Sequence, residues 1–413
     1  MSQKKVPIEE ASLGMFIVDM DIPWMDSPFL RHKKKIKSEK DIALLKKAGV
    51  KVLTIDLDKS DSIDVTVNPI ADPPPNNEIA LKATTAVVDI SVKPEIDQTI
   101  AAKPSFKDQF SAAKRLQGQV SKVLDSIADD ILAGGPIQSE AIVPIVRESL
   151  SLIDQHNQAL LALLHGQRRN KQIQAHSFSV MSLAIGFADQ LSLPDHFRIP
   201  LATGALLHET GWTRLPLNLF LKGKPFSANE AKLAAQHIPI IAGILKNSPG
   251  IDTLVIKTAL QHHSAFPPQE DFSVASEQGI AQVLAICNYY DALVHGIGEQ
   301  AAQLPSNAVR KLLMLGKQGH FQPSLISQFI KYVGIYPIGS ALVLSDNSKA
   351  IVIDSNRANP MLPKVKQWYD AEGNRFNQGI EIALADDNLT IREVINPKVG
   401  NNDPYNLLHL EAE

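Results

Sequence analysis

The sequence has few of the features that mark secreted, membrane or nucleic-acid-binding proteins. Its 413 residues include one cysteine, Cys287, which excludes a disulfide framework and fits a reducing compartment. No run approaches the length of a membrane span, and the N-terminus lacks a charged and then apolar leader. Forty-one basic and forty-four acidic residues give a net charge of −3, so no general attraction to nucleic acid is expected. These absences predict a cytoplasmic protein without a membrane span.

Common catalytic motifs are also missing. There is no Gly-x-x-x-x-Gly-Lys-[Ser/Thr] phosphate loop and no Gly-x-Ser-x-Gly nucleophile elbow. The run Gly296-Ile297-Gly298-Glu299-Gln300-Ala301 matches a dinucleotide fingerprint by letters, but it follows a helical pattern rather than a strand, so we interpret it as a chance match. Cys287 lies on a predicted buried helix face, which disfavours a nucleophilic role.

Composition and periodicity divide the chain into four segments and predict a mainly α protein with small β-containing segments at both ends. The segments are a small α+β domain at residues 1–70, a linker at 71–105, a helical domain at 106–330 and a strand-rich segment at 331–413. Pro73-Pro74-Pro75 is typical of a linker. Two amphipathic helices at 107–165 are either an extension of the helical core or a dimerisation hairpin, so an oligomer stays open.

Ligand-type side chains recur on the apolar stripes of five successive predicted helices. His176 lies four residues before Val180 on the buried stripe of the helix at 171–192. The other four helices carry His208-Glu209, His237 (on a stripe with Leu233, Ile240, Ile241 and Ile244), His262-His263, and Asn288 with Asp291. A single such residue is usually a hydrogen-bonded core residue. Because each unpartnered buried polar group costs about 1–3 kcal/mol, the set favours one shared metal centre. Histidine and carboxylate ligands without thiolates suit iron, manganese or zinc.

The same residues resemble a known family. His176, His208-Glu209-x-Gly211, His237-x-Pro239-x-x-x-Gly243, His262-His263 and Asn288-Tyr289-Tyr290-Asp291 follow the order and spacing of an HD-GYP domain, within the HD phosphohydrolase superfamily. The resemblance covers residues 150–330. Both flanks resemble the segments that accompany this domain, at Leu13-Gly14-Met15, Pro23-Trp24 and Pro28-Phe29 on one side, and at Phe329-Ile330 and Gly334-Ile335-Tyr336-Pro337-x-Gly339 on the other.

The resemblance implies a helical HD-type fold and a metal-dependent phosphodiesterase that hydrolyses the bacterial second messenger cyclic di-GMP. It implies one or two divalent ions per chain, iron or manganese more than zinc. The implied metal ligands are His176, His208, Glu209, His237, His262, His263 and, as a neutral and weaker ligand, Asn288. His208 and Glu209 take the catalytic positions. The implied partners are cyclic di-GMP or a related nucleotide and signalling proteins, and the residues that contact substrate are not identified.

Four departures from the family pattern mark a degenerate member. Glu209 stands for the aspartate of the His-Asp pair, Trp212 for a lysine, and Asn288 for an aspartate ligand, while Ser264-Ala265-Phe266 stands where a glutamate and the Gly-Tyr-Pro signature would begin. Three hypotheses follow: a cyclic di-GMP phosphodiesterase with an altered site, a catalytically inactive protein that binds the nucleotide or a protein partner, and a phosphohydrolase for another phosphate substrate.

Overall fold

The computed structural model describes residues 3–21, 34–61, 106–166, 172–356, 359–385 and 387–395. The chain divides into two compact units, Met1–Ala101 and Ala102–Glu413. The predicted linker at 71–105 lies outside the described residues, as do Pro23-Trp24 and Pro28-Phe29. Among the described residues, no helix combines the length and apolar character needed to cross a lipid bilayer.

The first unit is a small antiparallel sheet with one helix. Strands β1 (Gln3–Pro7), β2 (Phe16–Met20), β3 (Lys34–Lys35) and β4 (Val52–Asp56) lie in the order β1-β4-β2-β3, and helix α1 (Glu39–Lys47) precedes β4. A capping box between Ser38 and Asp41 begins α1. Gly49, with φ of +82°, follows its end, where a left-handed backbone favours glycine. The small β-containing segment predicted at the N-terminal end is therefore confirmed.

The second unit begins with eleven described helices and confirms the mainly α class. They are α2 (Phe106–Leu132), α3 (Ser139–Gly166), α4 (Ile173–Gln190), α5 (Asp195–Leu207), α6 (Leu217–Phe220), α7 (Ala228–Ala234), α8 (His237–Lys246), α9 (Thr253–Leu260), α10 (Glu277–His295), α11 (Pro305–Lys317) and α12 (Pro323–Val333). Helix α4 is buried along almost its whole length and packs against α3, α5 and α10. These neighbours bring side chains far apart in sequence to one place.

A five-stranded antiparallel sheet ends the second unit. Its strands β5 (Ala341–Leu344), β6 (Lys349–Asp354), β7 (Lys364–Tyr369), β8 (Arg375–Ala383) and β9 (Ile391–Ile395) lie in the order β8-β7-β6-β5-β9. Strands β5 and β6 form a hairpin, and Asn347 at its turn has φ of +75°. The five-stranded sheet has its own apolar core, centred on Leu342, Val352 and Val365.

Candidate metal centre

The predicted ligands converge inside the second unit from five helices. His176 lies within α4, His208 and Glu209 follow the last residue of α5, His237 is the first residue of α8, His262 and His263 follow α9, and Asn288 lies within α10. Except for His263, whose side chain is exposed, all of them are buried. The structure therefore brings together every residue that the sequence analysis proposed as a ligand.

One of the predicted stripes is wrong in detail. Helix α7 ends at Ala234 and α8 begins at His237, so Leu233 and His237 do not share a helical face. Leu233 is 41% exposed and Ile240 is half-buried, whereas His237 is 3% exposed. His208 and His262 also lie in turns that end helices rather than on helix faces. The positions of His208, His237 and His262 are thus set by the ends of helices.

Three of the buried histidines are oriented in the same local way. The Nδ1 atoms of His208, His237 and His262 lie 2.7, 2.6 and 2.5 Å from the backbone carbonyl oxygen three residues earlier. In each case that carbonyl belongs to an alanine: Ala205, Ala234 or Ala259. With Nδ1–H donating to a carbonyl, the remaining ring nitrogen, Nε2, keeps its lone pair and points into the centre. This is the arrangement that metal-bound histidines use.

Glu209 lies between two groups of histidines. Its Oε1 atom is 3.6 Å from His176 Nε2 and 3.7 Å from His208 Nε2, and its Oε2 atom is 3.5 Å from His237 Nε2. The first ligand group is His176, His208 and Glu209, and the second ligand group is Glu209, His237, His262 and His263. Within each group the ligand atoms lie within 4.8 Å of one another. One carboxylate is thus shared between two places that could each hold a cation.

The charge states of the histidine and glutamate side chains suit metal binding. Burial lowers the pKa of His208 to about 4, and burial together with the charge of His263 holds the pKa of His262 well below its usual range. Burial opposes ionisation of Glu209, but His237 and His176 outweigh it and hold the pKa of that carboxyl well below its usual range. At neutral pH the centre therefore offers an anionic carboxylate at Glu209 and neutral imidazoles at His208 and His262, which are the forms that bind metal.

Two features of the ligand side chains show that they fit a cation. His237 Nε2 and His262 Nε2 are 3.1 Å apart, and because both Nδ1 atoms face carbonyl oxygens, two lone pairs meet there unless a proton or a metal ion lies between them. Glu209 Oε2 is buried without a hydrogen-bond partner among the described residues. Such orphaned buried acceptors are costly, and a metal ion would satisfy them together.

His176 is held differently, by side chains of α10. Its Nδ1 atom lies 2.6 Å from Asp291 Oδ2, and its Nε2 atom lies 2.9 Å from Asn288 Oδ1. Burial opposes protonation of this imidazole, but Asp291 and Glu209 raise its pKa to about 9. Asn288 Oδ1 is also 3.3 Å from His208 Nε2, so the amide borders the first ligand group.

Asp291 has a site role that the sequence analysis missed. From sequence it is one of the ligand-type side chains on an inward helical stripe, but it is not among the implied metal ligands. In the structure it accepts hydrogen bonds from His176 and Ser179 and lies 3.0 Å from His295 Nδ1. Burial opposes its ionisation, but His295 and His176 hold the pKa of the carboxyl below its usual range. Its spacing of three residues from Asn288, which puts both on one helix face, was the available signal.

An apolar cluster replaces the cation expected beside the centre. Trp212 stacks on the His237 ring with centroids 5.1 Å apart, and the Phe220 ring packs edge-on against His176 at 5.7 Å. Trp212 and Phe220 share a buried cluster with Leu219, Ala234 and Ile297. This wall of the centre excludes water and carries no positive charge of its own.

The Gly-x-Gly-x-x-Ala match has a structural role instead of a nucleotide-binding one. Gly296 ends α10 in a left-handed conformation, with φ of +73°. Gly298 then pairs with the backbone of the 220–223 loop, donating to the Phe220 oxygen and accepting from Gly223 N, both at 2.8 Å. Cys287 is fully buried, and burial raises the pKa of its thiol well above the usual range, as expected for a core residue.

Comparisons with known proteins find matches along most of the chain. Residues 142–325 match the family described as HD domain, and residues 3–142 match a domain of unknown function, DUF3391. A cyclic di-GMP phosphodiesterase of Pseudomonas aeruginosa, PA4108, is 26% identical over 376 residues, which are 89% of this chain and 86% of that protein.

Two further relatives are more distant. The cyclic di-GMP phosphodiesterase PdeB of Borreliella burgdorferi is 21% identical over 200 residues, 46% of this chain and 50% of that protein. The solved structure of Bd1817, an HDG"Y"P protein from Bdellovibrio bacteriovorus, aligns with a TM-score of 0.42 and 17% identity, covering 79% of this chain and 98% of that one. The His208-Glu209 pair and the surrounding histidines lie inside the matched HD domain.

Proposed function

We propose that the HD domain is a metal-dependent phosphodiesterase with an altered site, and that its substrate is cyclic di-GMP. The observation that carries the proposal is the position of Glu209, whose two oxygens face two separate groups of buried histidines. A shared carboxylate between two ligand groups is the arrangement that a two-metal hydrolytic centre needs. Binding of a partner alone does not require five histidines grouped with their ring nitrogens within 4.8 Å of one another in each group, and this favours a metal site.

In this proposal the first ligand group holds one divalent ion with Asn288 as a neutral neighbour, and the second ligand group holds another. Metal ions in these positions would supply acidified water and stabilise negative charge on phosphodiester oxygens. Imidazoles and a carboxylate without thiolates suit iron, manganese or zinc, and the family resemblance favours iron or manganese among them. Glu209 contributes the anionic charge that both positions share, and His208 presents a neutral ring nitrogen.

The substrate is inferred from the relatives. Two curated proteins named cyclic di-GMP phosphodiesterases match this chain, one of them across most of both sequences. Trp212 in place of a cation and Asn288 in place of an anion each remove an electrostatic contact. Because one such contact is commonly worth about 3 kcal/mol in an active site, turnover is expected to be slower by orders of magnitude than at a site that keeps both.

The test is metal content followed by turnover. Protein purified anaerobically without chelators should contain about two iron or manganese ions per chain and should convert cyclic di-GMP to a linear product. Glu209→Gln, which keeps shape but removes the shared charge, should lose both metal and turnover, whereas Ser149→Ala, which removes a buried hydrogen bond within α3, should keep both. Wild-type protein without bound metal would overturn the hydrolase proposal.

A second candidate is a cyclic di-GMP-binding protein without catalysis. It is favoured by Trp212, which is 5% exposed and stacked on His237 where a phosphate-binding lysine is expected. Calorimetric titration of chelator-treated protein with cyclic di-GMP separates the two functions. Binding that persists without metal, together with no turnover in the metal-loaded protein, would favour this candidate. Turnover of a different phosphodiester alone would favour the third hypothesis, another phosphate substrate.

A further inference from the structure

The imidazole of His176 is the only buried ring of the centre, among the described residues, whose Nδ1 atom faces a carboxylate. In His208, His237 and His262 that nitrogen bonds to a carbonyl of the same chain segment. His176 Nδ1 instead lies 2.6 Å from Asp291 Oδ2, across 115 residues of sequence. The orientation of His176 therefore depends on how α4 packs against α10.

Asp291 is itself fixed from two sides. Ser179, three residues after His176 on α4, donates its hydroxyl to Asp291 Oδ1. His295, one turn along α10, lies 3.0 Å from the same oxygen through Nδ1 and 3.1 Å from the Asp291 carbonyl. Asp291 is 1% exposed, so solvent does not compete for these contacts. A carboxylate that accepts from three side chains has one position available to it, and it gives His176 one orientation.

We propose that Asp291, held by Ser179 and His295, is a positioning residue that fixes His176 with its Nε2 atom toward the first ligand group. The inference rests on the proposed function, because it treats His176 as a metal ligand. A carboxylate on the far nitrogen of a ligating histidine fixes the ring and raises its basicity, and loss of such a partner commonly lowers metal affinity about 10- to 100-fold. Asp291 acts through His176 and touches neither metal nor substrate.

The contacts of Asp291 and Ser179 predict which substitution should lower Mn²⁺ affinity more. Asp291→Asn keeps the shape of the side chain but removes its charge, so Mn²⁺ affinity at the first ligand group should fall about 10- to 100-fold. Ser179→Ala removes one support of the carboxylate and leaves His176 itself intact, so the fall should be smaller and in the same direction. Ser149→Ala is the matched control, since its hydroxyl is also fully buried and donates to a backbone carbonyl in α3.

The experiment is Mn²⁺ titration of chelator-treated full-length protein, followed by electron paramagnetic resonance, for wild type and the three variants. Selective weakening of one of two Mn²⁺ positions in Asp291→Asn, with Ser149→Ala unchanged, supports the proposal. Two positions of wild-type affinity in Asp291→Asn, even with a lower melting temperature, would overturn it, because Asp291 would then be only structural. That outcome leaves the proposed function intact.

A second measurement reads the positioning without any metal. In ¹⁵N-histidine-labelled metal-free protein, the Nδ1 proton of His176 should resonate far downfield, because its contact with Asp291 is short and charge-assisted. The signal should disappear in Asp291→Ala and persist in Ser149→Ala. A signal that persists in Asp291→Ala would overturn the positioning role. Absence of Mn²⁺ binding in wild type, with the downfield signal present, would instead overturn the proposed function alone.

Discussion

The two ligand groups differ in one histidine: His208 in the first group is oriented locally, as in the second group, but His176 is not. In the second ligand group, His237 and His262 are fixed by carbonyl oxygens three residues away, so each ring direction is set by one helix end. In the first ligand group, His176 is fixed by Asp291 and Asn288, which lie more than 100 residues away. A locally oriented ligand needs only its own turn to fold. A ligand oriented over long range needs two helices in register, and it offers more places at which a substitution can disturb it.

The groups also differ in the donor that each adds to Glu209 and the buried histidines. Both share Glu209, but the first adds the neutral amide of Asn288, while the second adds His263 at the surface. We therefore expect the second ligand group to bind metal more tightly and to fill first. The predictions below test this difference, beginning with the substitution that should affect both groups.

Glu209→Gln should have the largest effect, because it removes the only carboxylate common to both groups. Metal content measured by mass spectrometry should fall from about two ions per chain to a small fraction of one. Glu209→Asp, which keeps the charge on a side chain one methylene shorter, should retain at least one ion. Full metal content in Glu209→Gln would show that the two groups do not depend on a shared bridge.

Single-histidine variants should separate the groups. His208→Ala should remove the ion of the first ligand group and His262→Ala that of the second, with a lower melting temperature in each metal-loaded variant because bound metal stabilises the folded state. Metal content and differential scanning calorimetry on the same samples test this. Unchanged melting temperatures with unchanged metal content would mean that these histidines are ordinary core residues.

Gly211→Ala should weaken the second ligand group through the backbone. A Cβ atom at this position would lie 2.2 Å from the carbonyl oxygen of His237, so either the turn after Glu209 or the start of α8 must move. We expect a loss of about 1–3 kcal/mol in the free energy of unfolding, measured by urea titration, and weaker binding of one ion.

The matched control for that change is Gly243→Ala. No described atom lies within 4 Å of a Cβ atom added there, and the residue lies inside α8. Alanine should raise the free energy of unfolding by about 0.5–1 kcal/mol, because it restricts the unfolded chain and favours helix. If both substitutions lowered stability equally, the close approach of Gly211 to His237 would not be the cause.

Asn288→Asp should have the smallest effect, and it should raise metal affinity rather than lower it. It would place a carboxylate where the amide oxygen lies 2.9 Å from His176 Nε2 and 3.3 Å from His208 Nε2. Metal affinity of the first ligand group should rise about tenfold, equivalent to about 1.4 kcal/mol. The metal-free protein should become less stable, because a second carboxylate then lies one turn from Asp291. Calorimetric titration and melting curves with and without chelator measure both signs.

The sequence predicted the parts of the site that depend on periodicity. His176 and Asn288 lie within long buried helices, where a 3.6-residue repeat identifies the inward face. The predicted Leu233–His237 face failed because α7 and α8 are separate helices, and a break of two residues does not disturb an apolar pattern enough to be seen. The spacing of Asp291 from Asn288 identifies only its face of α10, whereas its contacts with His176 and Ser179 depend on helix packing, which spacing does not show.

The strands show the same limit of prediction from local sequence. The β-containing segment at the C-terminal end was predicted, and β5 and β6 pair there as a hairpin. Strands β1 and β7 were not predicted, because Gln3–Pro7 and Lys364–Tyr369 contain two lysines each and lack the apolar runs that mark strands. Their pairing with β4 and with β6 and β8 overrides that local composition.

The stacking of Trp212 on His237 has a consequence for observing the protein. Trp212 is one of three tryptophans, and the rings of its indole and of His237 lie nearly parallel, inclined by 18°. A paramagnetic ion in the second ligand group would therefore lie next to a fluorophore, and occupancy there should quench emission, whereas filling of the first group should change it less. The chain carries its own optical reporter, which can show the order in which its two ion positions fill without any added label.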